Sequence, residues 1–489
     1  MSKAPQYWAA VGGLLLVASL ASAQTVKDPT LRVTEVVGGL NAPTSMAFFG
    51  VDDILVLQKN DGQVRRVLNG VLQPEPVLDV AVDQISERGL LGIAVHPAFP
   101  SAPWVYLYYT ESGTGADTAG SPEPVGNRLY RYRWDGNALV DPALLLNFPS
   151  TPGPNHDGGA LTFGPDGKLY TVIGDLNHRG QLQNVPDGPA ADDTSVILRL
   201  NDDGSTPSDN PFFALGGNLA RYYAYGIRNS FGLAFDPLTN TLWQTENGPS
   251  AYDEINIVEP GFNSGWVQIM GPEARSPQGL DRLFQLPGSH YADPEFSWLD
   301  TVAPTAIVFL NSTQLGEQYQ HDVFVGDVNL GNLYHFELTP SRDSLHFDTP
   351  ALAADLVANP GDDLQEVIFG SGFGGITDLK VGPDGHLYIL SFQGKIFAVS
   401  HEATLQGTIT NEVSGAILEG VGVTAWRVDP KPFTRLHTST NLSGMYALSR
   451  LSPGRYWIFY THSGYKLGVR HGDLPPGQTT TVNVPLPPR

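Results

Sequence analysis

The chain has 489 residues, a formal charge of −22 and no cysteine, which excludes a disulfide framework, thiolate metal sites and a cysteine nucleophile, and points to more than one domain. Its acidity argues against nucleic acid and anionic membrane surfaces as partners, because phosphate binding takes clustered Lys and Arg. Neutral substrates and divalent cations remain compatible with it.

Residues 1–23 read as an export signal. Lys3 supplies a positive start, Ala9 to Leu20 an apolar stretch, and Ala21-Ser22-Ala23 the small-residue pattern of a cleavage site. The apolar stretch is about 12 residues where a membrane span needs about 20. The mature chain is therefore expected to begin near Gln24, without a membrane span. Export without disulfides places it in a bacterial periplasm or outside the cell.

One pattern then recurs: an apolar strand, a turn rich in Pro, Asp, Gly or Asn, and a second strand ending in Leu-Tyr or similar. Leu161 to Tyr170 and Leu379 to Tyr388 are the clearest copies; Met46 to Leu57, Ile93 to Tyr108, Leu233 to Trp243 and Ala306 to Val325 are looser ones. The last four copies begin about 70 residues apart, longer than a bare four-stranded blade, so the loops carry insertions. The pattern predicts an all-β fold, a six-bladed β-propeller over residues 30–401, with the Pro-Asp-Gly turns as hairpins and the long loops at the ends of a central channel.

From Ala403 the blade pattern stops. Short alternating strands run to Arg489, and Gly422-Val423, Ser443-Gly444-Met445-Tyr446 and Leu451-Ser452-Pro453-Gly454-Arg455-Tyr456 resemble the carboxypeptidase-regulatory-like or Cna-B-like β-sandwich modules. Residues 403–489 are thus expected to form a small sandwich, either a spacer or a module for glycan or surface contact.

Four clusters fall in the long loops of the expected propeller: Glu87-Arg88-Gly89, Asn155-His156-Asp157-Gly158-Gly159, Tyr225-Gly226-Ile227-Arg228-Asn229, and Glu246-Asn247-Gly248-Pro249 with Asp253-Glu254. Histidine, arginine and acidic residues in one channel suit base catalysis beside a metal. The acidic stretch Asp187 to Asp209 reads either as a structural calcium loop or as solvated Asx turns, the ligand spacing of an EF-hand being absent.

The ordered blocks ERGLLGIAVHP, NHDGGALTFGPDGKLY, YGIRNSFGLAFDP, ENGPSAYDEINIVEPGFNSGW and TVAPT resemble the soluble sugar dehydrogenases that use pyrroloquinoline quinone (PQQ) and calcium, the glucose/sorbosone dehydrogenase family. The resemblance implies a sugar hydroxyl as substrate and an external electron acceptor. It implies His156 as general base and Arg228 as stabiliser of charge on the quinone, with Glu87, Asn155, Asn229, Thr301 and Asn329 at the cofactor. Carbonyls of Gly248 and Pro249 would meet calcium, and Asp253 would ligate it or support its loop.

The chain also departs from the family pattern. Where the best-known members hold the quinone's carboxylates with a lysine and two arginines, it has Asn329, Gly375 and Thr377; Arg88, His178 and Arg179 are candidate replacements. Glu87 stands for a glutamine and Asn155 for an aspartate. Leu299, with Trp298 beside it, stands for an aromatic residue. The missing cations open a second reading, a non-redox, calcium-stabilised propeller that binds a glycan or protein. A third, a calcium-dependent hydrolase, has only the fold in its favour.

Overall fold

The computed structural model describes residues 24–276, 278–429, 435–475 and 477–489; the expected export signal lies outside them. The clearest repeats show how the sequence builds the fold. In Leu161 to Tyr170, Gly167 takes a φ of +71° and its N–H closes the turn on the Gly164 carbonyl. Asp166 accepts the Lys168 amide and the Tyr170 hydroxyl, each at 3.0 Å. Leu379 to Tyr388 repeats this: Gly385 has φ +80°, and Asp384 accepts the His386 amide and the Tyr388 hydroxyl. An aspartate tied to a tyrosine four residues on is thus the physical content of the repeat.

All six copies become the first hairpin of a four-stranded antiparallel blade. The inner strands are Pro43–Gly50, Leu90–Val95, Leu161–Phe163, Gly232–Phe235, Pro304–Phe309 and Ile376–Val381. The second strands are buried almost throughout, as in Leu169–Ile173 and Leu387–Ser391, because both faces are covered by neighbouring blades. Each blade interface holds its own apolar cluster, including that between the last blade and the first, where Tyr388, Leu390 and Ile396 meet Met46, Ile54 and Val56. At about 25 cal/mol per Å² of apolar surface, this repeated burial is the main stabilising term.

The outer strand of the last blade comes from the start of the described chain. Leu31–Val37 pairs antiparallel with Lys395–His401, Leu31 opposite His401. Thr25–Val26 adds to the fifth blade beside Ile368–Ser371.

Residues from Ala403 form two further sheets. Ala403–Asn411 pairs with Met445–Leu451 and with the short Thr479–Thr481 and Val484–Leu486. The other sheet has the order Arg435–Ser439, Gly422–Asp429, Gly454–Thr461, Gly468–Leu474. Leu405, Ile409, Val423, Ala425, Tyr456 and Ile458 fill the space between them. Among the described residues, no helix is long and apolar enough to cross a membrane.

Candidate active site

Two kinds of connection meet at one end of the ring: those entering an inner strand, and the loops between second and third strands. They enclose a cavity of about 490 Å³. Entering segments bring Glu87, His156, Arg228, Asn229 and Thr301 to it, the start of the first inner strand brings Thr44, and second-to-third loops bring Lys59, Gly248, Asn329 and Phe392. Glu87, His156, Arg228, Asn229, Gly248, Asp253, Thr301 and Asn329 therefore share one lining. Asn155 and Pro249 are not part of it; the Asn155 side-chain carbonyl takes the Ser86 hydroxyl.

His156 is held from several sides. Its φ is +68°, its N–H donates to Glu87 Oε2 at 2.5 Å, and its carbonyl accepts the Gly174 N–H. Its Nδ1 lies 2.5 Å from Asp175 Oδ1, while Asp175 Oδ2 accepts the Trp266 indole N–H at 2.7 Å. With a proton on Nδ1 directed at the carboxylate, Nε2 is left as the basic nitrogen. Asp175 and Trp266 had not been singled out in the sequence.

Arg228 lies over the Trp266 ring at 5.2 Å, and its Nη1 donates to the carbonyls of Asn247 and Gly248 at 2.8 and 2.9 Å. Burial pulls its pKa below the usual arginine value, against the raising influence of Asp175 and Glu246. Its backbone N–H donates to Glu246, which faces Glu254 across two paired strands. Burial pushes Glu246 up to about 7 and Glu254 well above the usual carboxylate range.

Asp253 braces the loop that carries Gly248. Its two oxygens accept the amides of Gly248, Val302 and Ala303 at 2.8, 2.6 and 2.7 Å. Among the described residues, no group of three or more His, Cys, Asp or Glu could hold a metal. The acidic stretch forms local turns: Asp203 accepts the Ser205 amide, Asp192 caps Thr194, and Asp193 is engaged by Arg221 and Tyr222.

The replacement cations differ in part from those expected. Arg88 is buried against Ser150 and Asp83, outside the cavity. His178 and Arg179 border an adjoining cavity of about 250 Å³ that also touches His156, Asp175, Arg228 and Trp266. The main cavity instead holds Lys59 and Lys380, the latter 2.9 Å from Asp378. Gly375 has no room for an arginine, since a Cβ there would project to 2.9 Å from the Val328 carbonyl. Thr377 ties the last blade to the first by donating to the Pro43 carbonyl. Trp298 is buried in a core cluster with Phe296 and Tyr334; the aromatic side chains at the cavity are Phe231 and Phe392.

Fold and site together define a propeller enzyme with a carboxylate-paired histidine beside an arginine at the mouth of its channel. The glucose/sorbosone dehydrogenase family model matches residues 40–397, and the chain belongs to that family. A carboxypeptidase regulatory-like domain model matches residues 404–487. The aldose sugar dehydrogenase YliI of Escherichia coli is 28% identical over 78% of this chain and 96% of its own. The quinoprotein glucose dehydrogenase B of Acinetobacter calcoaceticus is 32% identical over 48% of this chain and 52% of its own. The apo-form structure of the E. coli soluble aldose sugar dehydrogenase superposes with a TM-score of 0.60 at 26% identity, covering 76% of this chain and all of that one.

Proposed function

We propose that the chain is an exported quinoprotein that oxidises an aldose or a related sugar hydroxyl, with PQQ as hydride acceptor, calcium as its companion and an external carrier for the electrons. The observation carrying this reading is the His156–Asp175 pair beside Arg228 in a channel that still has unused polar atoms. Arg228 Nε, Asn229 Oδ1 and Asn247 Oδ1 are buried without a hydrogen-bond partner among the described residues. Such atoms are costly unless a ligand engages them.

The residues meet part of the cofactor's charge. PQQ is a trianion, and Lys59 and Arg228 face the cavity without a carboxylate ion pair among the described residues, while Lys380 is shared with Asp378. For calcium the donors would be oxygens: Asn247 Oδ1 is free, the Gly248 carbonyl would have to give up its bond from Arg228, and the Pro249 carbonyl would have to turn toward the cavity it does not line. Asp253 would act by holding the Gly248 loop, both its oxygens being occupied by amides.

Bound PQQ would supply the two-electron acceptor for the hydride leaving the sugar's C1. His156 Nε2 takes the proton of the C1 hydroxyl, and Asp175 stabilises the imidazolium so formed. Arg228 would place positive charge beside the acceptor, the partner on which negative charge would grow as it takes up hydride. Glu87 fixes the base through its backbone and Asn229 through the Asn229 amide at 3.2 Å, so the two meet substrate in one orientation. The sandwich would serve glycan or surface attachment.

The deciding experiment measures PQQ binding with calcium and with chelator, followed by sugar-dependent dye reduction. Calcium-dependent binding at micromolar concentration or tighter, about 8 kcal/mol, with turnover lost in His156→Ala, is expected. No binding would end the redox reading in favour of a non-redox, calcium-stabilised propeller that binds a glycan or protein.

A further inference from the structure

The outward face of one sandwich sheet carries side chains that its own core does not use. In the strand Gly454–Thr461, Tyr456, Ile458 and Tyr460 point inward and are buried, so Trp457 points away from the core. Trp426 stands directly opposite Trp457 on Gly422–Asp429, and the two are 46% and 44% exposed. The register continues the row across all four strands, with Arg435 opposite Trp426 at one end and His471 opposite Trp457 at the other.

A second row on the same face contains Phe459, whose ring lies 6.3 Å from that of Trp426, and Thr424, bonded to His437 at 2.9 Å. Cross-strand packing on Phe459 and His471 accounts for the covered halves of the two indoles and leaves the other halves in water. Large aromatic surfaces left in water mark places where something binds.

The charge of this segment indicates what binds. The whole chain carries 28 Lys and Arg against 50 Asp and Glu, yet residues 403–489 carry eight against four. The basic excess is confined to the segment that bears the aromatic row; on the face itself Arg455 is paired with Asp473, and Arg435, at the end of the aromatic row, is exposed with no hydrogen-bond or ion-pair partner among the described residues. Directly paired side chains sit about 5 Å apart across strands, close to the length of one pyranose unit. Neighbouring indoles can therefore lie under successive sugar rings, with histidine, threonine and arginine at their edges to meet hydroxyl and carboxylate groups.

We infer that this face docks an acidic, uronate-bearing polysaccharide, with Trp426 and Trp457 under the sugar rings and Arg435 on a carboxylate. The inference deepens the attachment role proposed for the sandwich and is independent of the redox chemistry. Screening at physiological salt, with a Debye length of about 8 Å, keeps the acidic propeller from cancelling this local attraction.

The test is affinity electrophoresis of the full chain through polygalacturonate, through neutral amylose and through polymer-free gel, with single-stranded DNA as a competitor. Retardation by polygalacturonate is expected, weakened by salt, reduced about tenfold or more when Trp426→Ala and Trp457→Ala are combined, and reduced severalfold in Arg435→Gln. All these side chains are exposed, so unchanged melting curves are expected to accompany the loss. Absence of retardation, equal retardation by amylose, preference for DNA, or full binding by the double variant would each overturn the inference. Self-association abolished by the same variants would overturn it in favour of a second copy. Dye reduction with a soluble aldose is scored separately: binding without oxidation removes the redox reading alone, and oxidation without binding removes this surface alone.

Discussion

Asp175 holds His156 by one oxygen, 2.5 Å from Nδ1, and Trp266 by the other, 2.7 Å from its indole nitrogen. The carboxylate thereby sets the tautomer and the direction of the ring whose opposite nitrogen is the proposed base. Asp175→Asn keeps the shape but offers an amide that can turn its donor toward Nδ1. A fall in kcat of about 100-fold or more is expected, with KM and PQQ affinity within a few fold. Steady-state dye reduction beside equilibrium PQQ titration checks the split; an equal loss in both would mean a collapsed site.

Lys59 is the cavity cation without a carboxylate on its ammonium. It donates to the Gln84 carbonyl and to Asn60 Oδ1, at 3.0 and 3.2 Å. Burial pulls its pKa down, opposed by Asp157, Glu87 and Asp83. An opposed unit charge is worth about 4 kcal/mol at 4 Å and an effective dielectric near 20, before desolvation. Lys59→Met is expected to weaken PQQ binding by about tenfold or more, as read by fluorescence titration. An unchanged affinity would leave Lys380 and Arg228 to carry the cofactor's charge.

Asp253→Ala removes the acceptor of three backbone amides at once. Stranding buried N–H groups typically costs about 1–3 kcal/mol each, partly recovered by relaxation, so a loss of about 2–4 kcal/mol in urea unfolding is expected. Asp253→Asn should retain part of it. A variant as stable as the wild type would show that the Gly248 loop is held by other contacts.

Asp157, next to the proposed base, gives stability a pH dependence of definite sign. It is buried, and burial pushes its carboxyl up to about 7, against the Asn127 hydrogen bond and the Arg88 charge. The folded form holds its proton where the unfolded form has lost it, so stability falls as pH rises from about 4 to about 7 and then levels. The slope approaches about 1.4 kcal/mol per pH unit within that window. Asp157→Asn lacks this titration, so its stability relative to wild type should rise through the window. A difference independent of pH, measured by denaturant melts, would mean the carboxyl titrates normally in the fold.

How much of this was legible in the sequence follows from what is local. The six hairpins were legible because strand, turn and strand lie within about 20 residues of each other. His156, Arg228 and Gly248 were legible because each sits in a block that keeps its order. Asp175 was not, because one aspartate in Gly-Asp-Leu-Asn carries no pattern and meets Trp266 only when two loops converge. A usable signal did exist: Lys59, Asn247 and Phe392 each directly follow the second strand of their repeat, and Asp175 and Asn329 follow by two residues. Reading the repeats in register picks out this channel-facing position. Arg88 was misjudged because a basic residue beside a motif can equally turn into the core toward an aspartate.

The strand Leu31–Val37 is the earliest of the long strands to be synthesised and takes the outermost place in the last blade, opposite a segment that ends 370 residues later at His401. During synthesis its partner strand is made only after the residues of the five other blades. The ring is thus sealed by its oldest piece. The sandwich follows His401 after a single residue, so any tether gripped by residues 403–489 pulls on the strand at that seam.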